Sequence, residues 1–148
     1  MSRLKELMAE LCPDGVEYKS LKSVLKTVKK INWDNQKGSL RYIDLSSVDR
    51  EQHEICDTIE IDASSAPSRA QQIVQADDVL IGTTRPMLKR FCLVPLSFDG
   101  QICSTGFCVL RANENVLPHW IYHLVSTTDF FDYVEKNQHP ELFNEAHQ

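Results

Sequence analysis

At 148 residues and a net charge of −5, the chain is long enough for one domain with a core of its own and too short for two ordinary ones. Hydrophobic residues at 42% and charged residues at 25% exclude a disordered or low-complexity chain. No apolar run approaches the roughly 18 residues of a membrane span, and the start, MSRLKELMAELCPDG, lacks a signal-peptide core, so the expected location is the cytoplasm without membrane attachment.

Taken in order, Leu4, Leu7, Met8 and Leu11 fall at helical spacing, which predicts a short amphipathic helix over residues 3–11, ended by Pro13-Asp14-Gly15. Ser20 is placed to cap a second short helix in which Leu21, Val24, Leu25 and Val28 share a face, leaving Lys22, Lys26, Lys29 and Lys30 on the wet side. Trp33 stands in a polar, turn-rich stretch. It is placed either to stack on a base or to fold back onto the core, the commoner outcome.

Leu40–Val48 reads as a strand and Ile59–Ile61 as another, joined by an acidic connection. Ala63–Ala70 combines small residues, a proline and several hydroxyls, and Ser68 is expected to cap a short turn into Gln71-Gln72. Val79–Ile81, Phe91–Val94 and Phe107–Leu110 are too short for helices, rich in β-branched and aromatic residues, and bounded by Gly, Pro or Asp. They predict a small sheet, with Asp99-Gly100 as a hairpin turn that makes it antiparallel. Leu117-Pro118 opens a helix expected over about 118–135, with Ile121, Leu124, Val125, Thr128 and Phe131 along one face.

Charge is unevenly spread, and the distribution decides more than the sum. Residues 19–41 hold seven bases against the single acid Asp34, whereas residues 42–68 hold seven acids against Arg50. Arg85, Lys89 and Arg90 then cluster with no acid nearby, and the last twenty residues are acidic again. Separate basic and acidic faces follow.

No catalytic constellation emerges. Cys103-Ser104-Thr105-Gly106 lacks the Gly-x-Ser-x-Gly pattern of a nucleophile turn. Among the five histidines only His119 and His123 share an i, i+4 spacing, without the glutamate of a zinc-protease motif. The five cysteines, Cys12, Cys56, Cys92, Cys103 and Cys108, form no Cys-x-x-Cys pair and are expected as core packing in a reducing compartment, with neither metal nor cofactor. What remains is a binding surface: Thr83, Thr84 and Arg85 at one strand end, Lys89 and Arg90 at the start of the next, Ser104 and Thr105 on the third. Lys29, Lys30, Arg41 and Arg69 come second. Such cations and hydroxyls suit the phosphates and base edges of DNA, and equally the shaping of turns and strand ends.

The segments ELCPDGVEYKSL, YIDLSSVD (42–49), APSRAQQIV (66–74), DDVLIGTTRPMLKR (77–90) and GQICSTGFCVLR (100–111) occur in an order and spacing that resemble a target recognition domain of a type I restriction-modification specificity subunit. The resemblance implies an α+β fold with a curved or barrel-like, mostly antiparallel sheet and flanking helices, similar to the DNA-recognition domain of adenine methyltransferases. It implies a non-catalytic module that reads one half of a two-part double-stranded DNA target. A methylating subunit and a motor-endonuclease subunit would be the partners, and would carry methylation and cleavage. The likeness covers residues 1–137, leaving 138–148 as a poorly ordered or truncated tail. The long docking helix and second domain of such subunits do not follow, so a truncated product or a single domain is expected, and self-pairing is disfavoured.

Overall fold

A computed structural model describes residues 21–83 and 89–136. The amphipathic segment expected over 3–11, the candidates Thr84 and Arg85, and the tail lie outside the described residues. Eight strands are present among the described residues: β1 (Leu25–Lys26), β2 (Leu40–Ile43), β3 (Ile59–Ile61), β4 (Ala70–Ile73), β5 (Val79–Gly82), β6 (Phe91–Leu93), β7 (Ile102–Ser104) and β8 (Phe107–Ala112). Two helices follow, α1 (Pro118–Val125) and α2 (Thr128–Lys136).

The strands form two four-stranded sheets, ordered β1-β8-β5-β6 and β3-β2-β7-β4. Every pairing is antiparallel except β2 with β7, where Tyr42 faces Ile102 and Ile43 faces Cys103. The α+β class with a mostly antiparallel sheet and flanking helices is thus present, divided into two sheets that do not close into a barrel.

Alternation along the central strands explains the layering. Val79, Ile81, Cys108 and Leu110 point to one face of the first sheet and pack with Ile121, Val125 and Phe131 of the helices. Leu80, Phe107 and Val109 point to the other face and meet Ile43 and Cys103 of the second sheet. All four residues of β5 are buried, as a strand covered on both faces requires. On the far side of the second sheet Tyr42, Ile61, Ala70 and Ile102 form a third cluster, closed by Ile31, Trp33 and Leu40. Trp33 therefore folds back onto the core, its Nε1 donating to the Ala70 carbonyl at 2.8 Å.

Several sequence expectations need correction, two of them where side chains compete for the backbone's hydrogen bonds. The strand expected over Leu40–Val48 ends at Ile43, because Asp44 and Ser47 form a reciprocal capping box around a 3₁₀ turn at Leu45–Ser47. The helix expected to contain Val24, Leu25 and Val28 is a 3₁₀ turn, Leu21–Val24, leading into β1 on the edge of the first sheet. Gln71-Gln72 lies in strand β4. The single helix expected near 118–135 is two helices. Thr127 Oγ1 donates to the Leu124 carbonyl at 2.8 Å and accepts from Phe130 N at 3.2 Å, so one hydroxyl closes α1 and caps α2.

Asp99-Gly100 makes a turn of another kind than the expected hairpin. Asp99 at φ −58°, ψ 128° and Gly100 at φ +82° close a type II turn, with Gln101 N donating to the Phe98 carbonyl at 3.1 Å. The turn carries the chain from the first sheet to β7 in the second. Strands β6 and β8 consequently flank β5 and do not pair with each other.

Candidate nucleic-acid interface

Four of the expected binding residues, Thr83, Ser104, Thr105 and Arg69, meet at the turn Thr105-Gly106, between β7 and β8. Ser104 Oγ accepts from Gly106 N at 3.0 Å, and Thr105 N donates to the Arg69 carbonyl at 2.9 Å. Thr83 donates to the Gly106 carbonyl twice, from its backbone N at 3.0 Å and from Oγ1 at 3.1 Å. Below the turn, the buried Gln72 side chain directs Nε2 at the carbonyls of Ser104 (2.8 Å) and Phe107 (2.9 Å). Two carbonyls on one atom fix its identity as the amide nitrogen. Thr83, Thr105 and Arg69 are thereby tied to one rim of the molecule.

Exposure sorts the candidates further. Thr105 and Arg69 are exposed, whereas Thr83 is half-buried. Lys29 and Lys30 are also exposed, in a segment that runs beside β4: Ile31 N donates to the Gln71 carbonyl and Ile73 N to that of Lys29. Lys30 faces Gln72, three residues from Arg69, which is about 10 Å along an extended chain.

Three candidates are placed elsewhere. Ser104 is fully buried, and besides bracing Gly106 its hydroxyl donates to the Tyr42 oxygen, whose pKa burial pushes up and this bond partly draws back. It offers no atom to the surface. Arg41 is half-buried and engaged by the protein itself: Nη2 donates to the Ser97 carbonyl at 2.5 Å and the guanidinium lies 4.1 Å from the centre of the Phe98 ring. Lys89 is exposed and holds a left-handed backbone, φ +52°, beside an open cleft lined by Ser46, Asp49, Arg50, Glu51 and Cys56. Acids and bases are mixed there, so Lys89 has surroundings of both signs.

Arg90 is half-buried next to Gly82, and its Nε is buried without a hydrogen-bond partner among the described residues. A buried donor left unpaired is destabilising by about 1–3 kcal/mol. Gln72 escaped the sequence reading. The available signal was a polar residue in the inward phase of a strand, whose burial alternates from Ala70 to Ile73. Among the described residues no group of three or more His, Cys, Asp or Glu side chains is placed to hold a metal ion.

Two facing sheets with a helical layer on one of them frame this rim of hydroxyls and cations. No family model matches the chain. Among curated proteins, the type I restriction enzyme HindI specificity subunit of Haemophilus influenzae is 29% identical over 76 residues, covering 49% of this chain and 17% of that protein. Among solved structures, the HsdS subunit from Thermoanaerobacter tengcongensis superposes with a TM-score of 0.78 at 32% identity, over 88% of this chain and 36% of its own. A second, from work on the assembly and conformational transition of a type I restriction-modification complex, gives 0.70 at 39% identity, over 74% of this chain and 28% of its own. These matches support a likeness to a target recognition domain of the specificity subunit of type I restriction-modification systems. It spans less than two fifths of each of these relatives.

Proposed function

We propose that the chain binds double-stranded DNA in a sequence-specific way and reads one half of a bipartite target for a type I restriction-modification complex. The observation that carries this reading is the likeness to an HsdS subunit over 88% of the chain. Residues 1–137 would act as one recognition unit in the cytoplasm, with no catalytic role. Methylation and cleavage would fall to a methylating and a motor-endonuclease subunit. Thr105, Arg69, Lys29 and Lys30 form the contact surface we favour, extended by Thr83, Thr84, Arg85, Lys89 and Arg90 along the β5–β6 connection. Selection from a pool of random duplexes tests the reading: a short enriched motif supports it, and a pool left unenriched overturns it.

A second reading concerns the helical layer. Leu117, Trp120 and Leu124 are 75%, 65% and 40% exposed at spacings of three and four residues, a ridge turned away from the core. Residues 112–135 contain no Lys or Arg, while Glu114, Asp129 and Asp132 are exposed. An acidic, apolar ridge repels DNA and suits a protein partner, which we take to be the methylating subunit. Co-purification with that subunit, lost on Trp120→Asp, is the expected result. Unimpaired co-purification of the variant would remove the ridge from the interface. No helix among the described residues is long and apolar enough to cross a membrane.

A further inference from the structure

We infer that Gln72 is a positioning residue for sequence reading: its amide holds the Thr105-Gly106 turn, and with it the Arg69 and Thr83 chain segments, as one rigid edge. The inference rests on the DNA-binding reading above. Gln72 is 6% exposed in the inward phase of β4, where an apolar residue would ordinarily pack. A primary amide is stable there only with its hydrogen bonds made. Its two N–H groups meet the carbonyls of Ser104 and Phe107, the residues on either side of the turn. The pairing of β4 with β7 slips between Ala70 and Gln72, so the side chain bonds the Ser104 carbonyl beside an irregularity in the ladder.

The three segments that meet at this turn come from distant parts of the chain. Thr105 N is bonded to Arg69, and Gly106 O takes both bonds from Thr83, the residue that precedes the Thr84–Leu88 connection. A displacement of the turn is therefore transmitted to both neighbours. Long cations that reach phosphates tolerate such a shift, because their flexible stems re-aim a charge. A short threonine hydroxyl set against a base edge does not, since discrimination depends on hydrogen-bond geometry. Loosening the turn should then lower specificity and leave non-specific affinity in place.

The test compares wild type with Gln72→Met, which keeps the length of the side chain and removes both donors, and with Ser104→Ala, which removes the brace to Gly106 N. Each is titrated against the duplex selected by wild type and against a random duplex, across a range of salt. The expected result is a fall of about tenfold or more in the selected-to-random affinity ratio for both variants, with random-duplex affinity and salt slope unchanged. A folded Gln72→Met with the wild-type ratio overturns the positioning role. If Gln72→Met fails to fold, the Ser104→Ala ratio decides in the same way. A wild type that enriches no duplex overturns the DNA reading and this inference with it, so the two failures are distinct.

Discussion

Leu45 Cδ1 lies 3.0 Å from the point where a Cβ on Gly106 would stand, and Cδ2 of the same side chain lies 3.3 Å from the equivalent point on Gly82. One leucine thus fills the space left by two glycines, Gly82 at the end of β5 and Gly106 in the turn between β7 and β8. Gly106→Ala should push Leu45 out of place and destabilise the fold by about 1–3 kcal/mol, the usual range for overpacking. Leu45→Ala alone should also destabilise by leaving a cavity. In the double variant the two losses should sum to less than their total, because the new methyl enters the space the leucine vacates. Urea denaturation of the three variants measures this, and strict additivity would show that Leu45 and Gly106 are not in conflict.

The buried ion pair makes a second prediction. Arg111 donates to Asp78 through Nε and Nη2, both at 2.9 Å, and its Nη2 also reaches the Ile73 carbonyl at 3.2 Å. Asp78 is 1% exposed and accepts a further bond from Gln75 N. The pair joins the first sheet to the end of β4 in the second. Arg111→Met leaves the carboxylate buried with one partner, a loss of about 3–5 kcal/mol. Asp78→Leu with Arg111→Met should lose less than Arg111→Met alone, since no charge is stranded. A double variant less stable than that single would contradict this account.

How much of this was legible in the sequence depends on the range over which each feature is decided. Strands β5, β6 and β8 were readable because β-branched and aromatic runs between Gly, Pro and Asp state their own conformation. The pairing of Tyr42 with Ile102, sixty residues apart, has no local signature, and that parallel contact is what divides the strands into two sheets. Asp44, Ser47 and Thr127 were visible as capping residue types, yet whether a hydroxyl ends an element or decorates it is settled by the packing around it. Charge likewise marked Arg41 and Arg69 alike. Only the fold shows that Phe98 and Ser97 occupy the first and that the second is exposed.

Thiol chemistry should divide the cysteines. Burial pushes Cys92 and Cys108 up from an ordinary 9.0 to about 12. Cys103 is raised by burial too, with repulsion from Cys92, Asp78 and Cys108 added. Native protein treated with iodoacetamide should be modified at exposed Cys56 and spared at these three, as peptide mass mapping would show. A folded-state value above the unfolded one means that the contribution to stability is complete below about pH 9 and is lost as pH rises toward 12. The expected slope is about 1.4 kcal/mol per pH unit for each thiol. Urea midpoints taken at pH 8 and pH 10.5 should fall accordingly, and Cys92→Val should flatten the fall. A midpoint independent of pH over that interval would be inconsistent with three protonated buried thiols.

The last prediction separates cations that face DNA from those that hold the fold. Arg69 and Lys30 are exposed along β4 and the segment beside it, and neither forms an ion pair among the described residues. A phosphate neutralised by either releases condensed counterions, so each contact adds about one to the slope of log affinity against log salt. Arg69→Ala and Lys30→Ala should each reduce that slope by about one and weaken selected and random duplexes equally. Arg41→Ala should leave the slope unchanged and lower the melting temperature, because its guanidinium packs on Phe98 and bonds Ser97. Fluorescence anisotropy at four or five salt concentrations resolves a change of one in the slope. Should Arg41→Ala shift the slope while Arg69→Ala does not, the contact surface would have to be moved from the β4 rim to the Leu96–Phe98 side.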